Sequence, residues 1–179
     1  MRRILVSCGL VALLALPAAA AANAPAPAQA KAGYLVVRGA LDDRGANGRP
    51  AATIVVTGFV LGRISQEARV DIFQLPRGGG QVQVKGTDVS TRPVRWQGAD
   101  GFRLTGKEYT GSNFRFRAMG GLFRVVVRGA GIYLFAGGTG AVWLRGSSVY
   151  PNADGKFSVN GSTPRSLPTR RVKFKIGGA

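Results

Sequence analysis

The sequence predicts an all-β chain, an antiparallel β-sandwich or barrel of short glycine-punctuated hairpins, with a short irregular β-solenoid as the alternative. Three observations lead there. No segment carries the apolar spacing of an amphipathic helix. Short runs rich in Val, Ile and aromatic residues alternate apolar with polar positions, as half-buried strands do. The 27 glycines and 9 prolines cluster between those runs, where turns are needed.

Phe114 to Ser148 is the densest such stretch. Its runs Asn113–Ala118, Leu122–Arg128, Ile132–Ala136 and Ala141–Arg145 read as four strands, with turns at Met119-Gly120-Gly121, Gly129-Ala130-Gly131 and Gly137-Gly138-Thr139-Gly140. Because successive strand side chains point oppositely, Phe114, Phe116 and Ala118 share one face while Arg115 and Arg117 share the other. Leu122–Arg128 sets Phe123, Val125 and Val127 against Arg124, Val126 and Arg128. In the last two runs both faces are apolar, Tyr133, Phe135 and Trp143 opposing Ile132, Leu134 and Val142. Those aromatics are therefore either core or an exposed surface.

The remaining strands are expected near Tyr34–Arg38, Thr53–Leu61, Ala68–Leu75, Gln81–Lys85, Val94–Trp96, Phe102–Leu104, Lys156–Val159 and Arg171–Ile176. Turn formers fill Leu41–Pro50, Pro76–Gly80 and Pro151–Gly155 between them. An apolar residue, then Arg, Lys or Thr, then Gly recurs, ending at Gly39, Gly58, Gly86, Gly106, Gly129 and Gly146. The spacing suits a pair of short strands with turns but is too irregular for a strict repeat.

Residues 1–22 read as a secretory signal: Arg2 and Arg3, an apolar stretch from Ile4 to Leu16, Pro17, then alanines. Cys8 sits too early in the apolar stretch for a lipoprotein processing box. Residues 23–32, rich in Ala and Pro, read as a linker, and 33–179 as one all-β domain. The expected location is extracytoplasmic, secreted or at the cell envelope, with no transmembrane helix in the mature form.

Charge and residue inventory then narrow the chemistry. The chain has 25 Lys+Arg against 8 Asp+Glu; removing Arg2 and Arg3 with the leader takes the net charge from +17 to +15. Such a charge attracts polyanions, although arginines at solvated strand positions would produce the same composition. There is no histidine, and the single cysteine, Cys8, lies in the leader. Imidazole-dependent and thiolate-dependent nucleophiles and zinc sites are thereby excluded from the mature chain. Only carboxylate chemistry remains. Asp42-Asp43 reads as a solvated turn, Asn152–Gly155 as a hairpin turn, and Glu108 as a surface residue paired with Lys107 or an arginine. No catalytic residue, metal ligand or cofactor is expected.

Binding is the better-supported expectation. Arg115, Arg117, Arg124, Arg128 and Arg145 are candidate polyanion-binding residues and Tyr133, Phe135 and Trp143 candidate stacking residues, since guanidinium groups clamp oxyanions and aromatic faces stack on rings. The leading expectation is a non-enzymatic envelope protein whose basic surface meets an anionic envelope polymer or a membrane surface. A small carboxylate-dependent carbohydrate hydrolase is the first alternative. Nucleic-acid binding is the second, disfavoured by export.

The leader is testable directly: mass spectrometry of the exported product should find an N-terminus at Asn23 or Lys31. With no cysteine left, a reducing agent should leave its thermal unfolding midpoint unchanged.

Overall fold

The computed structural model describes residues 31–39, 47–76, 79–147 and 155–178. The expected leader, most of the linker, Cys8, Asp42, Asp43 and Asp154 lie outside these residues.

The chain is all-β, as its alternation requires, and every strand pairing is antiparallel. Its strands are β1 (Gly33–Gly39), β2 (Ala52–Ile64), β3 (Ala68–Gln74), β4 (Gln81–Lys85), β5 (Asp88–Gln97), β6 (Arg103–Ser112), β7 (Phe114–Gly129), β8 (Ile132–Leu144), β9 (Lys156–Val159), β10 (Arg165–Ser166) and β11 (Val172–Ile176). They form one open eleven-stranded sheet of order β10-β9-β1-β8-β2-β7-β3-β6-β5, with β11 also beside β8 and β4 also beside β7.

Two expected turns are strand interior. Met119-Gly120-Gly121 lies within the 16-residue β7, and Gly137-Gly138-Thr139-Gly140 within the 13-residue β8. In β7 the cause is a β-bulge: Gly58 of β2 faces Gly121 while Phe59 faces Met119, leaving Gly120 as an extra residue. One extra residue swaps the faces. Phe114, Phe116 and Ala118 before the bulge and Phe123, Val125 and Val127 after it therefore all point into the core. That change of parity, visible in the sequence, marks a bulge and not a chain reversal. Gly129-Ala130-Gly131, by contrast, does lie between strands, but it joins no hairpin: β7 and β8 flank β2, each antiparallel to it. The expected short strands at Val94–Trp96 and Phe102–Leu104 grow into the ten-residue hairpin partners β5 and β6, because ladder pairing carries them through Pro93, Gly106 and Gly111.

Only β2, β7 and β8 run the length of the sheet. At one end β1 lies against Ile132–Gly138 of β8 and β4 against Arg115–Met119 of β7. At the other, β11 lies against Gly140–Leu144 and β3 against Phe123–Gly129. Midway, Gly58 is registered with Gly121 on one side and Gly138 on the other. A Cβ on Gly58 would stand 2.1 Å from the carbonyl oxygen of Gly137, and one on Gly138 would stand 2.0 Å from that of Thr57. Both glycines have left-handed φ, 146° and 132°. Glycine in such positions lets backbones close up and strands bend.

One face of the sheet carries the core. Leu35, Val37, Ile54, Val56, Val60, Ile64, Val70, Phe114, Phe123, Leu134 and Leu144 are buried in a single apolar cluster. Each fully buried side chain of this kind contributes about 1.5–3 kcal/mol. The described residues include no helix and no second sheet, so this face is covered by the sheet itself, creased at the glycines. The result is a sandwich's interior enclosed by one sheet. Phe157 of β9 and Phe174 of β11, from opposite ends, meet at 4.9 Å between ring centroids.

The crease makes an unequal prediction for two glycines. Gly58→Ala should cost about 4 kcal/mol, overpacking and backbone strain together. Gly120→Ala meets no atom within 4 Å and should cost only the left-handed backbone penalty, about 1–2 kcal/mol. Urea unfolding of the two variants measures the difference.

Candidate anion-binding face

The two ends of the sheet present different outer faces. At the β1/β4 end the outer face is open. Register places Lys156, Arg38, Tyr133, Arg63, Arg115 and Lys85 directly opposite one another on β9, β1, β8, β2, β7 and β4. Five cations and one tyrosine thus form a single row, all exposed. At about 4.8 Å per strand the row spans about 24 Å. Among the described residues none of these cations has a carboxylate partner. Like charges directly opposite in adjacent strands repel, so the row costs stability.

The next row is Val36, Phe135, Leu61, Arg117 and Gln83, and the one after it Tyr34, Gly137, Phe59, Met119 and Gln81. The ring of Phe59 lies over Gly137, where any side chain would collide with it. It packs 5.3 Å from Phe135, which is in turn 6.5 Å from Tyr34. Tyr133 and Phe135 remain 45% and 41% exposed, which settles their place as surface and not core. Together the first two rows line a groove of about 840 Å³ that includes Arg38, Leu61, Arg63, Arg115, Arg117 and Phe135. Arg117 Nε donates to Gln83 Oε1 at 3.0 Å, holding one wall in place.

At the other end the outer face is closed. Phe73, Leu104 and Val126 form a second small buried cluster with Trp96 against it. The Arg124 guanidinium caps Trp96 at 4.2 Å. Burial, with the nearby charges of Arg171 and Arg128, pulls Arg124 below the usual arginine range. Trp143, half-buried, has Arg171 and Lys173 over its ring at 5.6 and 5.3 Å.

The carboxylates sit on this closed face. Asp71 and Glu108 are registered opposite one another on β3 and β6 and are only 4% and 3% exposed. Glu108 is thus buried, not the surface residue expected, and of the expected partners, Lys107 or an arginine, it takes arginines, Arg69 and Arg92. Arg128 Nη1 donates to Asp71 Oδ2 at 2.6 Å and Arg69 Nε to Asp71 Oδ1 at 3.2 Å. Glu108 pushes the Arg92 guanidinium above its ordinary range, through their hydrogen bond first and its charge second. Every oxygen of the pair faces a guanidinium. The arrangement is an ion-pair network that ties β3, β5, β6 and β7 together.

The expected binding residues therefore divide. Arg115, Arg117, Tyr133 and Phe135 come together in the groove. Arg124 and Arg128 belong to the closed face, Trp143 lies beneath cations of its own, and Arg145 follows β8, half-buried. Sequence reasoning missed Arg38, Arg63, Lys85 and Lys156. Alternation alone puts Arg38 outward, but only cross-strand register aligns it with the other three.

Asp71→Asn leaves Arg69 and Arg128 facing a neutral group in a mostly buried network and should cost about 3 kcal/mol. Glu108→Gln should cost less, since Arg92 can turn to solvent. Denaturant unfolding of the two variants tests the order. Comparison with protein families, curated proteins and solved structures finds no match to this chain.

Proposed function

We propose that this is a non-enzymatic binding protein of the cell envelope, which holds an anionic envelope component against the open outer face of β9, β1, β8, β2, β7 and β4. One observation carries the reading: the row of Lys156, Arg38, Arg63, Arg115 and Lys85, registered side by side without a described carboxylate among them. Arg63 is central, facing Tyr133 on one side and Arg115 on the other. Guanidinium groups at strand spacing can each clamp an oxyanion through two N–H donors, and an anion placed over the row relieves its repulsion. The envelope setting rests on the leader sequence and the mature charge of +15. A hydrolase would need carboxylate oxygens directed at a substrate, and those of Asp71 and Glu108 face arginines instead.

Retention of the exported protein on immobilised polyphosphate, and on purified anionic cell-wall polymer, tests this. Retention should be strong near 0.01 M salt and lost near 1 M, as the Debye length falls from about 30 Å to about 3 Å. Arg63→Gln with Arg115→Gln should elute at markedly lower salt, while Arg95→Gln, on the edge strand β5, should elute as wild type does. Retention indifferent to salt, or to the double substitution, would sink the proposal.

A further inference from the structure

Which anion the groove takes is answered by what else lines it. Directly behind the cationic row lie Val36, Phe135 and Leu61, then Tyr34, Phe59 and Met119. Tyr34, Met119, Tyr133 and Phe135 are all more than 40% exposed. The face is thus divided lengthwise into a charged margin and an apolar floor. A bare polyanion would use the first and leave the second wet. A sugar chain would need acceptors as well as donors for its hydroxyls. Those are scarce: beyond the two tyrosine hydroxyls, the three rows on β1, β8, β2, β7 and β4 offer the amides of Gln81 and Gln83, and the Gln83 carbonyl already accepts from Arg117. The ligand that matches donors without acceptors beside an apolar strip is an amphiphile with an anionic head.

Resting on the anion-binding reading above, we infer that the groove binds a single anionic lipid, its phosphate or carboxylate on Arg38, Arg63 and Arg115 and its hydrocarbon chain over Val36, Leu61 and Phe135. The volume, about 840 Å³, is within the range of sites that enclose one small molecule. A concave site of this size receives a chain lifted from a bilayer, whereas a flat membrane surface would meet only its rims. The aromatic cluster fixes the floor: Phe135 is held between Tyr34 and Phe59, so the apolar strip exists before any ligand arrives.

The test separates chain from charge. Dodecyl phosphate, kept below its micelle-forming concentration, and butyl phosphate are titrated calorimetrically into the full exported protein, with dodecyl maltoside as the neutral chain and polyphosphate as the chainless polyanion. Dodecyl phosphate should bind at least about tenfold more tightly than butyl phosphate and than dodecyl maltoside. Phe135→Ser with Leu61→Ser should abolish the advantage of the long chain while leaving salt-dependent retention on polyphosphate. Arg63→Gln with Arg115→Gln should weaken both. Equal affinity for the two alkyl phosphates, or a chain-length advantage that survives Phe135→Ser with Leu61→Ser, overturns the lipid and leaves the anionic reading standing if polyphosphate is still retained. Failure of the wild-type protein to hold either phosphate ligand or polyphosphate overturns both.

Discussion

Everything in this sheet depends on the backbones of β2 and β8 coming closer together than side chains would allow. Gly58 lies between Gly121 and Gly138 in the ladder; a methyl group on Gly58 would meet the carbonyl oxygen of Gly137, and one on Gly138 that of Thr57. That contact lets β2, β7 and β8 continue through the middle of the sheet and still bend. Because they continue, both ends share one hydrogen-bonded frame; because they bend, both ends turn the same apolar face inward. The bulge at Gly120 is the necessary correction. Without it, β7 would send Phe114 and Phe116 outward whenever Phe123 and Val125 pointed in.

A continuous frame also means that the outer face is one surface with two fates. Near β3, β5 and β6 it is covered by its own side chains: Asp71 and Glu108 gather Arg69, Arg92 and Arg128, while Arg124 and Trp96 lie over Phe73, Leu104 and Val126. Near β1 and β4 nothing among the described residues does the same. Cations stand beside cations, and Phe135 and Tyr133 remain open to solvent. The small cluster on the closed face shows how this sheet buries an outer apolar patch when it does so. The open face has an apolar patch of similar chemistry and keeps it uncovered.

The class of fold was legible because alternation is local. Gln81–Lys85 and Lys156–Val159 could be read to the residue, and Val125 and Val127 could be assigned a face from their neighbours alone. What was not legible depended on pairing. A glycine pair such as Gly120-Gly121 reads as a turn until a partner strand is seen to run past it. Pro93 argues against a long strand until it is placed on β5, which ends the sheet path and leaves one side of its backbone unpaired. The site shows the same division. Arg115, Arg117, Tyr133 and Phe135 were recognisable because two strands consecutive in the sequence, β7 and β8, carry them. Arg38, Arg63, Lys85 and Lys156 joined them only through registers between residues 95, 52, 30 and 118 positions apart in the chain. The burial of Glu108 was hidden for a related reason: the arginines Arg69 and Arg92 that enclose it come from the neighbouring strands β3 and β5.

The contrast between the two outer faces also bears on why the cationic row is there. This fold does place a carboxylate opposite an arginine in a neighbouring strand, since Glu108 of β6 faces Arg92 of β5. A carboxylate at position 63, between Tyr133 and Arg115, would complete the same pattern at the other end and remove a repulsion worth about 0.2–1 kcal/mol. Arginine stands there instead. Folding alone gives no reason to prefer it, because the position is exposed and Arg115 opposite it is already positive. A residue that breaks the local rule without a compensating contact inside the molecule is best explained by a contact outside it. The row is therefore unfinished as a structural element, and that is the ground on which an anion over it is proposed.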